Sequence, residues 1–481
     1  MSETREYDVV FLGGGPAGYV GAVYAAKLGL KTAIVERERL GGTCLHRGCI
    51  PTKSLLRAAE LYRTVRERGE AFGVVADGVR FDWNRAQARK AEVIATLEKG
   101  IHYLMKKGRI DVYHGTGRLL GPSIFSPTAG AISVLAEGEA DGVVLLPKHV
   151  VIATGSKPRS IPGLVPDGRR VLTSDDALAL DFVPRSAIII GGGVIGVEWA
   201  SLWRDLGAEV TIVEAMDRLL PGEDESISRE LRRVFQKRGI RVLTDATLDA
   251  LGIEVREDGL SLTVRPNSSG ARSAETLSAD VVLVAVGRAA NIDDIGLKNT
   301  KIRVENGWIA VNDRYQTAEP HIYAVGDVIG PPMLAHLASH EAKRAVEHIA
   351  GRRGGRVDPR FVPRATYASP EVASIGLTEN EARAAGYAVK TGTMTFRSNG
   401  KALIEGEADG FVKFVVDAET SDVLGVHVIG PRATELIGEV ALGMIMDAAA
   451  EEFGEAIRPH PTLSETMTEA ALSVHGMEIH A

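Results

Sequence analysis

A chain of 481 residues, 45% hydrophobic and 25% charged, is long enough to divide into several domains around separate cores. Its 56 basic and 63 acidic residues leave a net charge of −7 with no polybasic run, which argues against nucleic acid or an anionic membrane as a partner. The N-terminus runs straight into a strand pattern without a charged-then-apolar leader, and no apolar stretch reaches transmembrane length, so a cytoplasmic protein is expected.

The first element expected is a strand over Tyr7 to Leu12, ending in Gly13-Gly14-Gly15-Pro16-Ala17-Gly18. Helical periodicity follows, then a second strand that closes on an acid, Thr32-Ala-Ile-Val-Glu36. Glycines at Gly13, Gly15 and Gly18 permit a tight turn and close approach of backbone to a pyrophosphate; the helix start offers unpaired N–H groups; the acid accepts hydrogen bonds from ribose hydroxyls. A lone glycine motif is weak evidence. Here the whole pattern recurs 178 residues later, as a strand over Ala187 to Ile190, then Gly191-Gly192-Gly193-Val194-Ile195-Gly196, a helical segment and Val210-Thr-Ile-Val-Glu214. In both copies 23 residues separate the first glycine from the acid. Two dinucleotide-binding halves are therefore expected. Glu214 would repel a 2′-phosphate and no arginine directly follows it, so the second half, with Gly191, Gly193 and Gly196, reads as a site for NAD rather than NADP.

Between the two fingerprints stand the chain's two cysteines, five positions apart in Gly-Gly-Thr-Cys44-Leu-His-Arg-Gly-Cys49-Ile-Pro-Thr-Lys53. With no further cysteine, the pair reads as a redox couple rather than a staple. A working dithiol needs a thiolate, and Lys53 is the nearby candidate cation, with a solvated helix residue as the alternative reading. Cys49-Ile-Pro-Thr also has the form of a helix start, whose dipole lowers a thiol pKa. A thiol pair beside two dinucleotide sites suggests a relay in which a flavin exchanges electrons with sulfur on one side and a nicotinamide on the other.

Two more strand-plus-glycine segments, Val150 to Gly155 and Val281 to Gly287, are expected to close the two halves, and His321-Ile-Tyr-Ala-Val-Gly-Asp327 to return the chain to the first. From about Gly351 the fingerprints stop; alternating strands at Gly410–Asp417 and Val423–Ile429 precede a helical period from Thr434 to Asp447. The linkers, Pro266 to Gly270 and Gly351 to Arg356, are short. The expected fold is α/β, with two Rossmann-like domains plus a C-terminal α+β interface domain, divided at 1–149, 150–280, 281–350 and 351–481. No Cys/His cluster has metal-ligand spacing.

His460, between Pro459 and Pro461, would alone read as a turn residue. Standing five residues before Glu465, in a chain whose dithiol exchange needs a base, it becomes a candidate: the carboxylate would fix its tautomer and raise its basicity. His336 is a second histidine that could lie near a flavin.

The cysteine segment, both fingerprints, Gly326-Asp327 and His460-Pro-Thr-Leu-Ser-Glu465 together resemble, from end to end, the FAD-dependent pyridine nucleotide–disulfide oxidoreductases, and within them the branch that oxidises dihydrolipoamide. The resemblance implies an interchange thiol at Cys44, a flavin-proximal thiol at Cys49, a Lys53–Glu198 ion pair beside the flavin, and Asp327 on the FAD ribityl chain. It also implies FAD on Gly13, Gly15, Gly18, Glu36 and Gly155, and NAD on the second fingerprint with Glu214 and Gly287. The expected assembly is a homodimer that receives the lipoyl domain of a 2-oxo acid dehydrogenase acyltransferase. Glutathione-type reductases would want a basic pair where Glu214 sits, mercuric reductases further cysteines near the C-terminus, and a soluble transhydrogenase has no need of the thiols. A flavin-carrying assembly protein without turnover is the alternative from outside enzymes.

Overall fold

The computed structural model describes residues 4–122, 129–136, 142–256, 259–267 and 273–480, so part of the expected Pro266–Gly270 linker lies outside the described residues. The chain forms two compact units. One gathers Met1–Ser54, Arg85–Arg159 and Arg288–Val357; the other gathers Leu55–Asn84, Ser160–Gly287 and Asp358–Ala481.

The first unit is built on a seven-stranded sheet. Asp111–His114, Thr32–Glu36, Thr4–Leu12 and Val143–Ile152 run parallel in that order. Val143–Ile152 then pairs in parallel with Ile322–Ala324 at its carboxyl end and antiparallel with Ile132–Leu135 at its start, with Thr116–Leu119 beyond. Val9, Val10 and Phe11 are fully buried, as befits an interior parallel strand covered on both faces. The helices Pro16–Lys27 and Ala335–Ile349 share a core with Phe11 and Ile34 on one face, while Val10, Leu12, Ala33 and Ile152 form the core of the other. The register aligns Leu12 with Val35 and Ile152, and Ile152 with Ala324, so four strands end together at one carboxyl edge.

In the second unit, a five-stranded parallel sheet runs Arg241–Leu243, Glu209–Val213, Ser186–Ile190, Val281–Val284, Val171–Leu172. A separate three-stranded antiparallel sheet, Ala246–Val255, Leu260–Pro266 and Glu275–Ala279, packs on the same apolar core. The C-terminal part is a five-stranded antiparallel sheet ordered 364–366, 371–376, 423–430, 411–417, 389–395. Helices Ala433–Ile445 and Glu465–Ser473 cover it, burying Phe414, Val426, Ile437, Val440 and Met467. The fold is thus α/β with two Rossmann-like sheets and a C-terminal α+β part.

The boundaries differ from those expected at 149/150 and 280/281. Val143–Ile152 is one continuous strand of the first sheet and Val281–Val284 belongs to the second, so the compact units change over at 159/160 and 287/288. Residues 55–84, expected within the first domain, belong to the second unit, tied there by Trp83 Nε1 donating to Leu180 O at 2.8 Å and by the Arg63–Asp205 ion pair at 3.3 Å.

Candidate active site

Both fingerprints fold into the same turn. Gly13 and Gly191 each have φ +107°, and a Cβ on them would stand 2.3 Å from Ala153 O and 2.4 Å from Ala285 O. A side chain at Gly18 or Gly196 would collide with the carbonyl of the first glycine, at 1.8 and 1.9 Å, so each helix can start only on glycine. Gly15 and Gly193 are the N-caps of Pro16–Lys27 and Val194–Asp205, with no side-chain cap on either. The first-turn N–H groups are left for a ligand, and around Gly155, Gly193 and Gly287 a Cβ would meet nothing within 4 Å. Such a cradle of backbone donors and open space fits a pyrophosphate at either site.

The paired acids are held alike. Glu36 Oε2 accepts from Gly14 N at 2.6 Å and Oε1 from Glu38 N at 2.8 Å. Glu214 Oε2 accepts from Gly192 N, and Oε1 from Met216 N at 2.7 Å. Each carboxylate is thereby locked against its own glycine turn with lone pairs left over for ribose hydroxyls.

The cysteines follow in the first unit. Cys44 lies on the short helix Gly42–Arg47, Cys49 opens the helix Cys49–Arg63, and Lys53 is one turn further along, half-buried. Both cysteines are free thiols. The Cys44 thiol is pushed up, first by its hydrogen bond to Cys49, then by burial and by the charge of Cys49; Lys53 and the Cys49 backbone N–H pull the other way. The two thiols are hydrogen-bonded to each other, and the expected cation, Lys53, pulls the Cys44 pKa down against that rise. His46, between the cysteines, contacts Leu40 O at 2.8 Å through Nε2.

Asp327 sits in the one-turn helix Gly326–Ile329 just past the strand Ile322–Ala324, at the same carboxyl edge as the first fingerprint. Ser156 Oγ donates to Asp327 Oδ2 at 2.5 Å, and Gly326 N donates to Glu341 Oε2 at 2.7 Å. Sequence reasoning missed Ser156 and Glu341, which no local motif marks. His336 is exposed near the start of Ala335–Ile349.

In the second unit, Glu198 is buried on Val194–Asp205 and its Oε1 accepts from Tyr367 N at 2.9 Å. His460 is exposed, and its Nδ1 lies 2.9 Å from Glu465 Oε1; Glu465 Oε2 accepts from Thr462 N at 2.8 Å. Burial pushes the Glu465 carboxyl up, but the Thr462 N–H and His460 outweigh it and hold it below the usual range. A carboxylate on Nδ1 fixes the tautomer that leaves Nε2 to take a proton. Within the first unit the structure thus brings together Gly13, Gly15, Gly18, Glu36, Gly155 and Asp327 at one sheet edge, with the cysteines and Lys53 on the segment that follows Glu36. In the second it joins Gly191, Gly193, Gly196 and Glu214, and pairs His460 with Glu465. Among the described residues no cluster could hold a metal ion, and no helix is long and apolar enough to cross a membrane.

The chain matches known proteins over nearly its whole length. Residues 7–342 match the family described as pyridine nucleotide-disulphide oxidoreductase, and residues 362–471 match its dimerisation domain. The chain is 53% identical over 484 residues to a dihydrolipoyl dehydrogenase of Bacillus subtilis (strain 168), covering 99% of each. It is 44% identical to that of Chlorobaculum tepidum, covering 97% of this chain and 96% of the other. Among solved structures, LpdA from Mycobacterium tuberculosis superimposes with a TM-score of 0.87 at 28% identity, covering 97% of this chain and 99% of that one. The HOCl-induced flavoprotein disulfide reductase RclA from Escherichia coli does so with 0.83 at 26%, with the same coverage.

Proposed function

From the premise that this chain belongs to the pyridine nucleotide-disulphide oxidoreductase family, we propose that it oxidises dihydrolipoamide with NAD⁺, yielding lipoamide, NADH and a proton. The observation that carries the reading is the hydrogen-bonded Cys44–Cys49 pair directly after a dinucleotide fingerprint.

In the oxidised enzyme Cys44 and Cys49 form a disulfide. His460 Nε2 removes a proton from one substrate thiol, with Glu465 stabilising the imidazolium through Nδ1. The substrate thiolate attacks Cys44 Sγ and displaces Cys49 as a thiolate. The second substrate thiol then attacks the mixed disulfide, releasing oxidised lipoamide and leaving both cysteines reduced. Gly13, Gly15, Gly18, Glu36, Gly155 and Asp327 would hold FAD, which would supply the two-electron carrier between this dithiol and NAD⁺. Lys53, one turn after Cys49, pulls the Cys44 thiol pKa down by its charge, and Glu214 and Gly287 with the second fingerprint would hold NAD⁺.

The working unit is a homodimer joined through residues 351–481, in which the base facing Cys44 is the partner subunit's His460. Protein-bound substrate arrives on the lipoyl domain of a 2-oxo acid dehydrogenase acyltransferase, in the cytoplasm. Resemblance to enzymes named for dihydrolipoyl oxidation supports this, as does the dimerisation domain matched over residues 362–471. The purified protein should have the visible spectrum of a bound flavin and reduce NAD⁺ at 340 nm when given free dihydrolipoamide. A flavoprotein inert towards that pair would overturn the reading.

A further inference from the structure

Three segments far apart in the chain meet at Asp327. The strands Ser156–Pro158 and Arg288–Ala290 pair antiparallel, one just before the chain leaves the first unit and the other where it re-enters. Around them Asn291 N donates to Gly155 O at 2.9 Å, Asn291 Nδ2 to Thr154 O at 3.0 Å, and Thr154 Oγ1 to Asn291 O at 2.7 Å. Arg288 straddles Ser156, Nε donating to the hydroxyl at 2.7 Å and Nη2 to the carbonyl at 2.9 Å. The hydroxyl has one proton to give, and it goes to Asp327 Oδ2 at 2.5 Å.

Resting on the reading that Asp327 holds FAD, we propose that Ser156 and Arg288 are positioning residues for the flavin, acting through the Asp327 carboxylate. Ser156 is 4% exposed, so its hydroxyl needs partners, and Arg288 occupies its acceptor side so that its proton points to Asp327. A guanidinium polarising a hydroxyl that in turn donates to a carboxylate strengthens each link of the chain. Asp327 follows Gly326, at φ +72°, whose N–H is anchored on buried Glu341, so the turn is held from the backbone side as well. Together these contacts fix the carboxylate before FAD arrives.

The test is the FAD dissociation constant, measured on the holoenzyme by dilution and the rise of free-FAD fluorescence, for wild type, Ser156→Ala, Arg288→Ala, Asp327→Ala and the Ser156→Ala/Asp327→Ala double variant. Ser156→Ala should weaken FAD about tenfold and Arg288→Ala at least as much. The thermal midpoint of each apoprotein should stay near that of wild type. In the double variant the Ser156 penalty should vanish, since the carboxylate it orients is gone. An Asp327→Ala protein that binds FAD as wild type does would overturn both the parent reading and this inference. If Asp327→Ala weakens FAD but Ser156→Ala does not, or if the two penalties simply add, the inference fails and the parent reading stands.

Discussion

Replacing Glu214 with glutamine removes the charge proposed to select the nicotinamide cofactor. Both carboxylate oxygens are held by backbone amides, from Gly192 and from Met216 at 2.7 Å, so glutamine keeps the shape, gives up the charge and sets its NH₂ against one of those N–H donors. The residue is 7% exposed, and water screens it poorly. For a 2′-phosphate oxygen about 5 Å from the carboxylate, unit charges at an effective dielectric of about 20 repel by about 3 kcal/mol, a factor of roughly 150. The wild type should therefore prefer NAD⁺ to NADP⁺ by two orders of magnitude or more in kcat/KM. Glu214→Gln should recover most of that factor with NADP⁺ and lose about tenfold with NAD⁺, from the weakened bond to the ribose. Initial rates at 340 nm with dihydrolipoamide and each cofactor measure both terms. Equal kcat/KM values in the wild type, or an unchanged ratio in the variant, would refute the reasoning.

Glu465→Gln should lower kcat/KM for dihydrolipoamide by about 10²-fold, because the amide no longer anchors His460 Nδ1 and fixes the tautomer that leaves Nε2 free to take a proton; undiminished kcat/KM would dissociate Glu465 from the base. Subunit exchange between Cys44→Ser and His460→Ala homodimers, each nearly inactive, should restore at most about half the wild-type activity per hybrid dimer, since one of the two sites is rebuilt from intact halves. Verified hybrids that stay inactive would place the base within its own chain or remove His460 from that role. Glu341 offers a pH test of stability. Burial, with the charge of Asp327 adding, raises its carboxyl to about 7 against the opposing pull of the Gly326 N–H and Arg356. Its folded pKa lies above the unfolded value, so its contribution is fully favourable below about pH 4 and is lost as pH rises through 7. Glu341→Gln should accordingly change the apoprotein's melting point little at pH 5 and raise it at pH 8; the same shift at both would contradict the assignment.

What sequence alone reveals here is whatever short-range stereochemistry enforces. The glycine turns are legible because a tight turn at a helix start admits no Cβ at Gly18 or Gly196, and the acids because a βαβ unit sets their spacing. The His460–Glu465 pair is legible for the same reason, both partners lying on one short segment. Contacts assembled from distant segments leave no such trace. Ser156 reaches Asp327 across 171 residues and Arg288 reaches Ser156 across 132, and neither partner announces the other. The strand Val143–Ile152 carries the first sheet past the expected boundary because hydrogen-bond registry with Thr4–Leu12, rather than composition, decides where it ends. The long helix Trp83–Gly108 carries no chemical motif and went unmarked.

The most direct measurement is made on Cys44→Ser. With the flavin site intact and the disulfide impossible, the variant should keep its bound FAD and its oxidation of NADH by artificial acceptors, while dihydrolipoamide:NAD⁺ turnover falls to background. Turnover undiminished in this variant would contradict a mechanism in which electrons enter through the Cys44–Cys49 pair.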